Sequence, residues 1–299
     1  MVIGQGFAER HLTSDEISRT VHEGLATLAV DGKHVLIIIP DGTRTMPMPL
    51  MFDLFERELS SRVGKLDYLV ALGTHPMMDD EHLSKLIGRK VVDGKAGMSN
   101  IFNHHWEVPE NFVTLGVITA KEIAEITGGV LEKDIPVRLN RMILDYDQII
   151  ICGPVFPHEV VGFSGGNKYF FPGIGGSEII NQTHWTGALM TNYKIIGAGY
   201  TPVRAIIDRA AGMIDRPVAC FALVVTHGGV EGLYFGSAQE AWKAASDLSA
   251  RKHIIYVKKP FKRVLSVMPT LYDDLWTGAK GMYKIHPDYV IYAVVGMFP

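Results

Sequence analysis

The chain has 299 residues, of which 47% are hydrophobic and 20% are charged, with 31 glycines, a composition typical of a soluble α/β enzyme with one large domain or two modest ones. Its formal net charge of −3 excludes nucleic acid as the main partner, because that role usually needs a basic face. No apolar run reaches the roughly 18 residues of a membrane span, and the N-terminus has no apolar signal core, so we expect a cytoplasmic protein with no membrane partner.

Strand-like and helix-like segments alternate along most of the chain. Continuous apolar runs predict strands over 35–39, 67–72, 112–115, 148–152, 218–225 and 253–257. Amphipathic spacing predicts helices over 14–30, 51–62, 79–87, 202–213 and 238–250. Ser14 and Asp79 are positioned to cap two of these helices. This alternation predicts a mostly parallel sheet with helices on both faces.

A second, smaller α/β domain is predicted at the C-terminal end. Two lysines and a proline at 258–260 follow a predicted strand, which favours a boundary there. Strands over 263–268 and 289–295 flank a helix near 274–283. We therefore expect an N-terminal α/β domain over 1–258 and the start of a C-terminal α/β domain over 259–299.

Three of the predicted strands end in loops that carry polar and titratable residues. These are Pro-Asp-Gly-Thr-Arg at 40–44, Gly-Thr-His-Pro at 73–76 and Gly-Pro-Val-Phe-Pro-His at 153–158. Ligands of open α/β sheets bind outside the carboxyl ends of the strands. The pattern therefore predicts a site built from Asp41, Arg44, His75 and His158.

A glycine-rich segment follows the third loop. Six glycines lie between 162 and 176, and such backbone can approach a ligand closely or cradle a phosphate. Asn167 and Tyr169 stand where a Walker A loop would need other residues. Lys168 is open to three interpretations: a phosphate contact, an exposed charge or a covalent attachment point. Ser177 is placed to cap a helix to about 186 that carries His184.

These motifs together resemble the nickel-dependent lactate racemase family. The resemblance rests on Asp-x-Thr-Arg, Gly-Thr-His, Pro-His, a Ser-Gly-Gly-x-Lys motif whose lysine lies ten residues after that histidine, and a histidine sixteen residues beyond it. A Lys-Gly pair at 280–281, after Tyr-Asp-Asp-Leu-Trp at 272–276, agrees with it. The motifs keep the family order from 41 to 281, so the resemblance covers most of the chain.

The resemblance implies a racemase or epimerase that inverts C2 of a 2-hydroxy acid. The reaction would use proton-coupled hydride transfer to and from a nickel-pincer nucleotide, a pyridinium dithio-dicarboxylate mononucleotide, through a 2-keto acid. The family roles carried onto this chain are His75 and His158 as the acid/base pair, His184 as the nickel ligand, Arg44 and Lys280 as carboxylate-binding residues, Lys168 as the residue that can tether the pincer, and Asp41, Thr43, Ser164, Gly165 and Gly166 as cofactor-binding residues. Proteins that make the pincer are the implied partners.

Three positions depart from the family pattern. Gly42 stands where the family often has histidine, and Trp276 and Thr277 stand where it often has Tyr-Gln. The resemblance places these residues near the substrate, with Trp276 and Thr277 among the substrate-binding residues. A larger, aromatic or polyhydroxylated 2-hydroxy acid is therefore as compatible with the sequence as lactate.

Two other functions remain open on the residues alone. His75, His158 and His184 would be three ligands of zinc in a hydrolase with a metal-bound water. The glycine-rich loop would also suit a nucleotide- or cofactor-binding protein without catalysis.

Overall fold

The computed structural model describes residues 1–255 and the two strand segments Arg263–Met268 and Tyr289–Val294. The strands of residues 1–255 are β1 (Ile3–Gly6), β2 (His34–Ile39), β3 (Lys65–Val70), β4 (Lys95–Ala96), β5 (Ser99–Asn103), β6 (Phe112–Ile118), β7 (Ile135–Asn140), β8 (Gln148–Pro154), β9 (Pro157–His158), β10 (Gly162–Phe163), β11 (Val218–Thr226) and β12 (Gly229–Gly236). The helices are α1 (Ser14–Ala26), α2 (Met48–Leu59), α3 (Asp80–Ile87), α4 (Ala120–Thr127), α5 (Ser177–Met190), α6 (Asn192–Ile195), α7 (Pro202–Ala211) and α8 (Ala238–His253).

The main sheet has eight strands in the order β1-β12-β11-β8-β2-β3-β5-β4. Its five central strands, from β11 to β5, are parallel, and antiparallel pairs complete both edges. The antiparallel pairs β6–β7 and β9–β10 lie outside it. The predicted α/β class with a mostly parallel sheet is therefore confirmed.

The centre of the sheet is buried on both faces. Along β2, Leu36 and Ile38 pack into one hydrophobic core, and Val35, Ile37 and Ile39 pack into the other. All five side chains are fully buried, which explains why this strand is a continuous aliphatic run. Burial of each contributes roughly 1.5–3 kcal/mol, and this rigid centre fixes the loop that follows Ile39.

The chain order of the strands changes direction beside β2. From β2 the chain continues to β3 on one side, and β8 lies on the other side. Such a switch point leaves a crevice at the carboxyl ends of the strands, where open α/β sheets bind their ligands. The three loops predicted from sequence leave β2, β3 and β8, which are neighbours in the sheet.

Three local predictions need correction. Thr13, and not Ser14, caps α1, in a capping box with Glu16. Ser177 is the first residue of α5 and Gly176 occupies its cap position, while the helix continues past 186 to Met190. The strand predicted over 253–257 is wrong at its start, because α8 extends through His253 and Ile254 caps it. Asp79 caps α3 as predicted, with its side chain accepting from the His82 backbone N–H.

Two strands predicted beyond residue 258 are confirmed, and their bounds define β13 (Arg263–Met268) and β14 (Tyr289–Val294). They pair in parallel. The predicted boundary at 258–260, the helix near 274–283 and the substrate-binding residues Trp276, Thr277 and Lys280 lie outside the described residues, so the two-domain division stays a prediction. Within the described part of the chain, no helix is both long and apolar enough to span a membrane.

Candidate active site

A cavity of about 250 Å³ opens at the carboxyl ends of β8, β2 and β3. Seven of the residues predicted for the site line it: Asp41, Arg44, His75, His158, Ser164, Gly165 and Lys168. His184 of α5 is the eighth predicted residue that lines it. Residues separated by up to 143 positions in the chain (41 to 184) are thus brought to one place by the sheet.

Asp41 and His75 form a hydrogen-bonded pair at this cavity. Oδ2 of Asp41 lies 2.5 Å from Nδ1 of His75, and Oδ1 accepts from the backbone N–H and hydroxyl of Thr43 at 3.1 and 2.5 Å. Arg44 donates to the Thr43 hydroxyl at 2.7 Å. Burial opposes ionisation of Asp41, but the hydrogen bonds from His75 and Thr43 outweigh it and lower the pKa of the carboxyl.

This arrangement sets the tautomer of His75. An ionised carboxylate only accepts, so Nδ1 of His75 carries the hydrogen and Nε2 carries the lone pair of the neutral ring. The His75 side chain is 45% exposed, whereas Asp41 is 8% exposed. His75 is therefore a solvent-accessible base oriented by a buried carboxylate.

His158 has the opposite arrangement. It ends β9, is buried, and its Nδ1 accepts a hydrogen bond of 3.1 Å from the backbone N–H of Val160. The neutral ring in this state carries its hydrogen on Nε2. Burial and the positive charge of Lys168 lower the pKa of His158 well below its ordinary value. His158 is thus a neutral hydrogen-bond donor in this geometry.

Lys168 lies in a short 3-10 turn, Gly166–Tyr169, after the glycines. Ser164 fixes the start of the loop, because its hydroxyl donates to the Pro154 carbonyl and accepts from the Phe156 N–H, both at 3.0 Å. Burial, and then the charge of Arg44, lower the pKa of Lys168 to about 7. Near neutral pH a large fraction of this amine is uncharged and nucleophilic.

A buried arginine fixes the backbone of the glycine-rich loop. Arg204 of α7 is 1% exposed and donates to the carbonyls of Phe163 and Gly165. Its guanidinium lies 4.3 Å from the ring centroid of Trp242, whose indole N–H donates to the Ser164 carbonyl at 2.9 Å. Burial lowers the pKa of Arg204 to about 10, so it stays charged. These hydrogen bonds fix the backbone carbonyls of three consecutive residues, Phe163, Ser164 and Gly165.

Two of the predicted cofactor-binding residues lie behind the cavity wall. Gly166 has φ +58°, and a Cβ there would lie 2.9 Å from Cβ of Trp242, so it faces α8. Thr43 acts through its hydrogen bonds to Asp41 and Arg44. Both support residues that line the cavity.

His184 lies in the second half of α5 with an exposed side chain. Its Nδ1 is 2.7 Å from the carbonyl oxygen of Ile180, one helical turn earlier. Because a carbonyl only accepts, Nδ1 carries the hydrogen and Nε2 presents the lone pair of the neutral ring. Metal-ligating histidines are oriented in this way by their other ring nitrogen.

These residues fit the implied nickel-pincer nucleotide. One imidazole suits a metal whose remaining donors come from the organic ligand, and an uncharged amine at Lys168 suits a covalent link. Among the described residues, no group of three or more His, Cys, Asp or Glu side chains converges on a point that could hold a metal. The three-histidine zinc site therefore lacks its geometry.

The sequence interpretation missed several residues of the site. Glu159, Tyr169, Gly73 and Gly173 also line the cavity. The N–H of Gly73 donates to the Gly173 carbonyl at 2.8 Å, which ties the His75 loop to the Lys168 loop. Only Glu159 carried a usable signal, as a carboxylate next to a candidate catalytic histidine. The glycine contact joins positions a hundred residues apart and has no sequence signature.

Comparison with known proteins finds a family match over the part of the chain that lines the cavity. The model of the lactate racemase N-terminal domain matches residues 13–195. The chain is 27% identical to a lactate racemase of Thermoanaerobacterium thermosaccharolyticum over 58% of this chain and 37% of that protein. It is 28% identical to a lactate racemase of Lactiplantibacillus plantarum over 89% of this chain and 56% of that protein. The chain thus spans from about a third to just over half the length of these relatives.

Two solved structures share the fold. A crystal structure of a Thermotoga maritima protein is 30% identical, with a TM-score of 0.83, over 95% of this chain and 69% of that one. The lactate racemase apoprotein of Thermoanaerobacterium thermosaccharolyticum superposes with a TM-score of 0.73 at 20% identity, over 94% of this chain and 65% of that one.

Proposed function

This chain belongs to the family of the lactate racemase N-terminal domain, and from that premise we propose that it is an isomerase that inverts C2 of a 2-hydroxy acid. One observation supports the proposal above the others. Two histidines at one cavity, His75 and His158, are held in opposite hydrogen-bonding states beside Arg44. An acid/base pair that exchanges a proton with a substrate hydroxyl needs that complementarity.

The α-hydrogen of a 2-hydroxy acid is only weakly acidic, so direct deprotonation beside a carboxylate is difficult. Oxidation to a planar 2-keto acid, followed by reduction from the other face, avoids that carbanion. His75, with its Nε2 lone pair, would accept the hydroxyl proton in one direction, and His158 would exchange the proton for the other enantiomer. Arg44 would hold the carboxylate and retain the keto acid.

The nickel-pincer nucleotide, when bound, supplies the acceptor and donor of the C2 hydride. We propose His184 as its protein ligand to nickel, Lys168 as its tether, and Ser164, Gly165 and Gly166, with Asp41 and Thr43, as the loops that hold it. Lys280 is proposed as the second carboxylate-binding residue, with Trp276 and Thr277 beside the substrate. Proteins that make the pincer would be partners in the cytoplasm.

We further propose a substrate larger than lactate. Among the described residues, a Cβ placed on Gly42 would meet only the Met78 methyl, at 3.7 Å. The described residues therefore leave space near Arg44, at the position where the family often carries a histidine. A bulky, aromatic or polyhydroxylated group at C2 of the acid would fit this opening.

The test is a panel of single-enantiomer 2-hydroxy acids incubated with the full chain, made in a host that also produces the pincer. We expect loss of optical purity for at least one acid, about one nickel per chain, and added mass on a peptide containing Lys168 if the pincer is tethered. Nickel-loaded chain that leaves every acid optically pure would contradict the proposal. The same chain with His75→Gln is the inactive control.

A further inference from the structure

Two groups with opposite requirements converge on Nδ1 of His158. The backbone N–H of Val160 donates to this nitrogen at 3.1 Å. Oε2 of Glu159 lies 3.4 Å from the same atom. The N–H needs a lone pair on Nδ1, whereas a carboxylate needs a hydrogen there. Only one of these two contacts is satisfied at a time.

The charges around the cavity make Glu159 significant. Among the described residues that line the cavity, Arg44 is a permanent cation and Lys168 is a cation when it is protonated, whereas Asp41 and Glu159 are carboxylates. Asp41 is committed to His75 and Thr43. Lys168, Arg44 and His184 all disfavour a positive charge on His158, and Glu159 favours one. Among these groups, Glu159 is the carboxylate placed to stabilise the imidazolium of His158.

The hydrogen bond from the Val160 N–H restricts the proton transfers that His158 can perform. A neutral His158 that accepts at Nδ1 carries its hydrogen on Nε2, so it can donate a hydrogen bond but cannot take up a proton at Nε2. To act as a base towards a substrate, the ring must place its hydrogen on Nδ1. It then needs an acceptor at Nδ1, which the Val160 N–H cannot be.

We propose that Glu159 is the positioning residue of His158, and that exchange of the Nδ1 hydrogen bond between the Val160 N–H and the Glu159 carboxylate converts His158 from a hydrogen-bond donor into a general base. The role in turnover rests on the proposed function. It makes Glu159 the counterpart of Asp41, which already holds His75 in its base form.

The proton balance of the cycle is simple. With hydrogen on Nδ1 and Glu159 accepting it, Nε2 takes the substrate hydroxyl proton and the ring becomes an imidazolium paired with the carboxylate. In the reverse direction, Nε2 returns that proton to the alkoxide oxygen. The ring is again neutral with its hydrogen on Nδ1, and Glu159 stays ionised throughout.

The test compares the full chain with Glu159→Gln by long-range ¹⁵N–¹H NMR of the histidine rings. The His158 signals are assigned by their loss in His158→Gln. In the unsubstituted chain we expect a measurable fraction of the Nδ1–H tautomer of His158. In Glu159→Gln that fraction should fall about tenfold or more, and the pKa of His158 should move further down.

Glu178→Gln is the matched control. Glu178 has a similar side-chain exposure, 32% against 27% for Glu159. It pairs with Arg138 at 3.2 Å, and it is not among the residues that line the cavity. It should leave the His158 spectrum unchanged. The proposal would be overturned if Glu159→Gln left the tautomer and the titration of His158 unchanged. It would also be overturned if the substitution changed only the titration of Lys168. Should that variant fold poorly, absence of the Nδ1–H form from the unsubstituted chain would overturn it equally.

A second measurement separates this role from the proposed function. In cofactor-loaded chain, Glu159→Gln should lower kcat at least tenfold with a smaller change in KM, and Glu159→Asp should restore part of it. A tautomer change in a chain that racemises no 2-hydroxy acid would refute the function alone. Racemisation at an undiminished rate in Glu159→Gln would refute the positioning role alone.

Discussion

Nδ1 of His75 lies 2.5 Å from Oδ2 of Asp41, and this contact joins the loops that leave two neighbouring parallel strands, β2 and β3. Asp41 comes two residues after the end of β2, and His75 comes five residues after the end of β3. The register of the two strands therefore sets the distance between the carboxylate and the ring. The orientation of the His75 ring is therefore fixed by the sheet itself.

Asp41→Asn should lower kcat/KM for 2-hydroxy-acid racemisation by about 10²-fold, the size of a general-base contribution. The amide can donate to Nδ1, which would move the hydrogen of His75 to Nε2 and remove the lone pair from the cavity. The measurement is a steady-state assay of cofactor-loaded chain. Asp53→Asn, which alters a surface pair with Arg89, is the control. Equal activity of the two variants would refute the role of Asp41.

Lys168 should make the stability of the cofactor-free chain depend on pH. Burial lowers the pKa of Lys168 to about 7 from an ordinary value of 10.5, so between these values the unfolded chain binds more protons at this lysine than the folded chain. The free energy of unfolding should therefore rise with pH over this window from this group. The destabilisation of the folded chain by Lys168 reaches its full size below pH 7, where this lysine is protonated in both the folded and the unfolded state.

Lys168→Met removes this titration. Urea unfolding at several pH values between 7 and 10 should give a flatter dependence for the variant than for the unsubstituted chain. Lys121→Met, at an exposed position of α4, should leave the slope as it was. A steeper slope in Lys168→Met would mean that the amine is stabilised, and not penalised, by its surroundings.

His184→Ala should abolish nickel retention while the chain stays folded. The side chain is exposed and its Nδ1 hydrogen-bonds to the Ile180 carbonyl of the same helix, so we expect little packing to be lost. Nickel content after desalting should fall at least tenfold, measured beside the melting temperature. His105→Ala, at a surface position paired with Glu107, is the control and should keep its nickel. Full nickel occupancy in His184→Ala would show that another donor holds the metal.

Arg204→Lys should destabilise the chain by about 2–4 kcal/mol, because an ammonium cannot reproduce the planar donation to two carbonyls and leaves buried acceptors unsatisfied. Cofactor binding should weaken as well, since Phe163 and Gly165 flank the loop that positions Lys168. Arg209→Lys changes an exposed pair with Glu122 on the same helix and should cost less than about 0.5 kcal/mol. Denaturant unfolding distinguishes them; equal stabilities would refute the proposed role.

The sequence predicted the architecture wherever burial was two-sided. The aliphatic run of β2 has no polar face, so its place at the centre of a parallel sheet followed from composition alone. Strand ends then predicted that Asp41, His75 and His158 would meet, because parallel strands deliver their following loops to one edge. Capping was weaker: Thr13 and Ser14 are both good caps, and only the reciprocal bond with Glu16 decides between them.

The sequence could not predict contacts set by the tertiary structure. Arg204 is an ordinary helical arginine by pattern, and its burial behind the glycines depends on α7 packing against the loop. The opposite tautomers of His75 and His158 depend on single hydrogen bonds to Asp41 and Val160. Neither the direction of a backbone N–H nor a carboxylate at 2.5 Å leaves a trace in residue spacing.

The delivery of site residues by three separate strands also bears on how the chain folds. Contacts between the loops after β2, β3 and β8 span from about thirty to more than a hundred residues, so they have high contact order and form only after long loops have closed. We expect local helices to form well before the loops that carry Asp41 and His158 come together. Recovery of the proposed racemase activity during refolding should therefore trail the recovery of helical circular dichroism, and the interval between them would time the assembly of the parallel sheet.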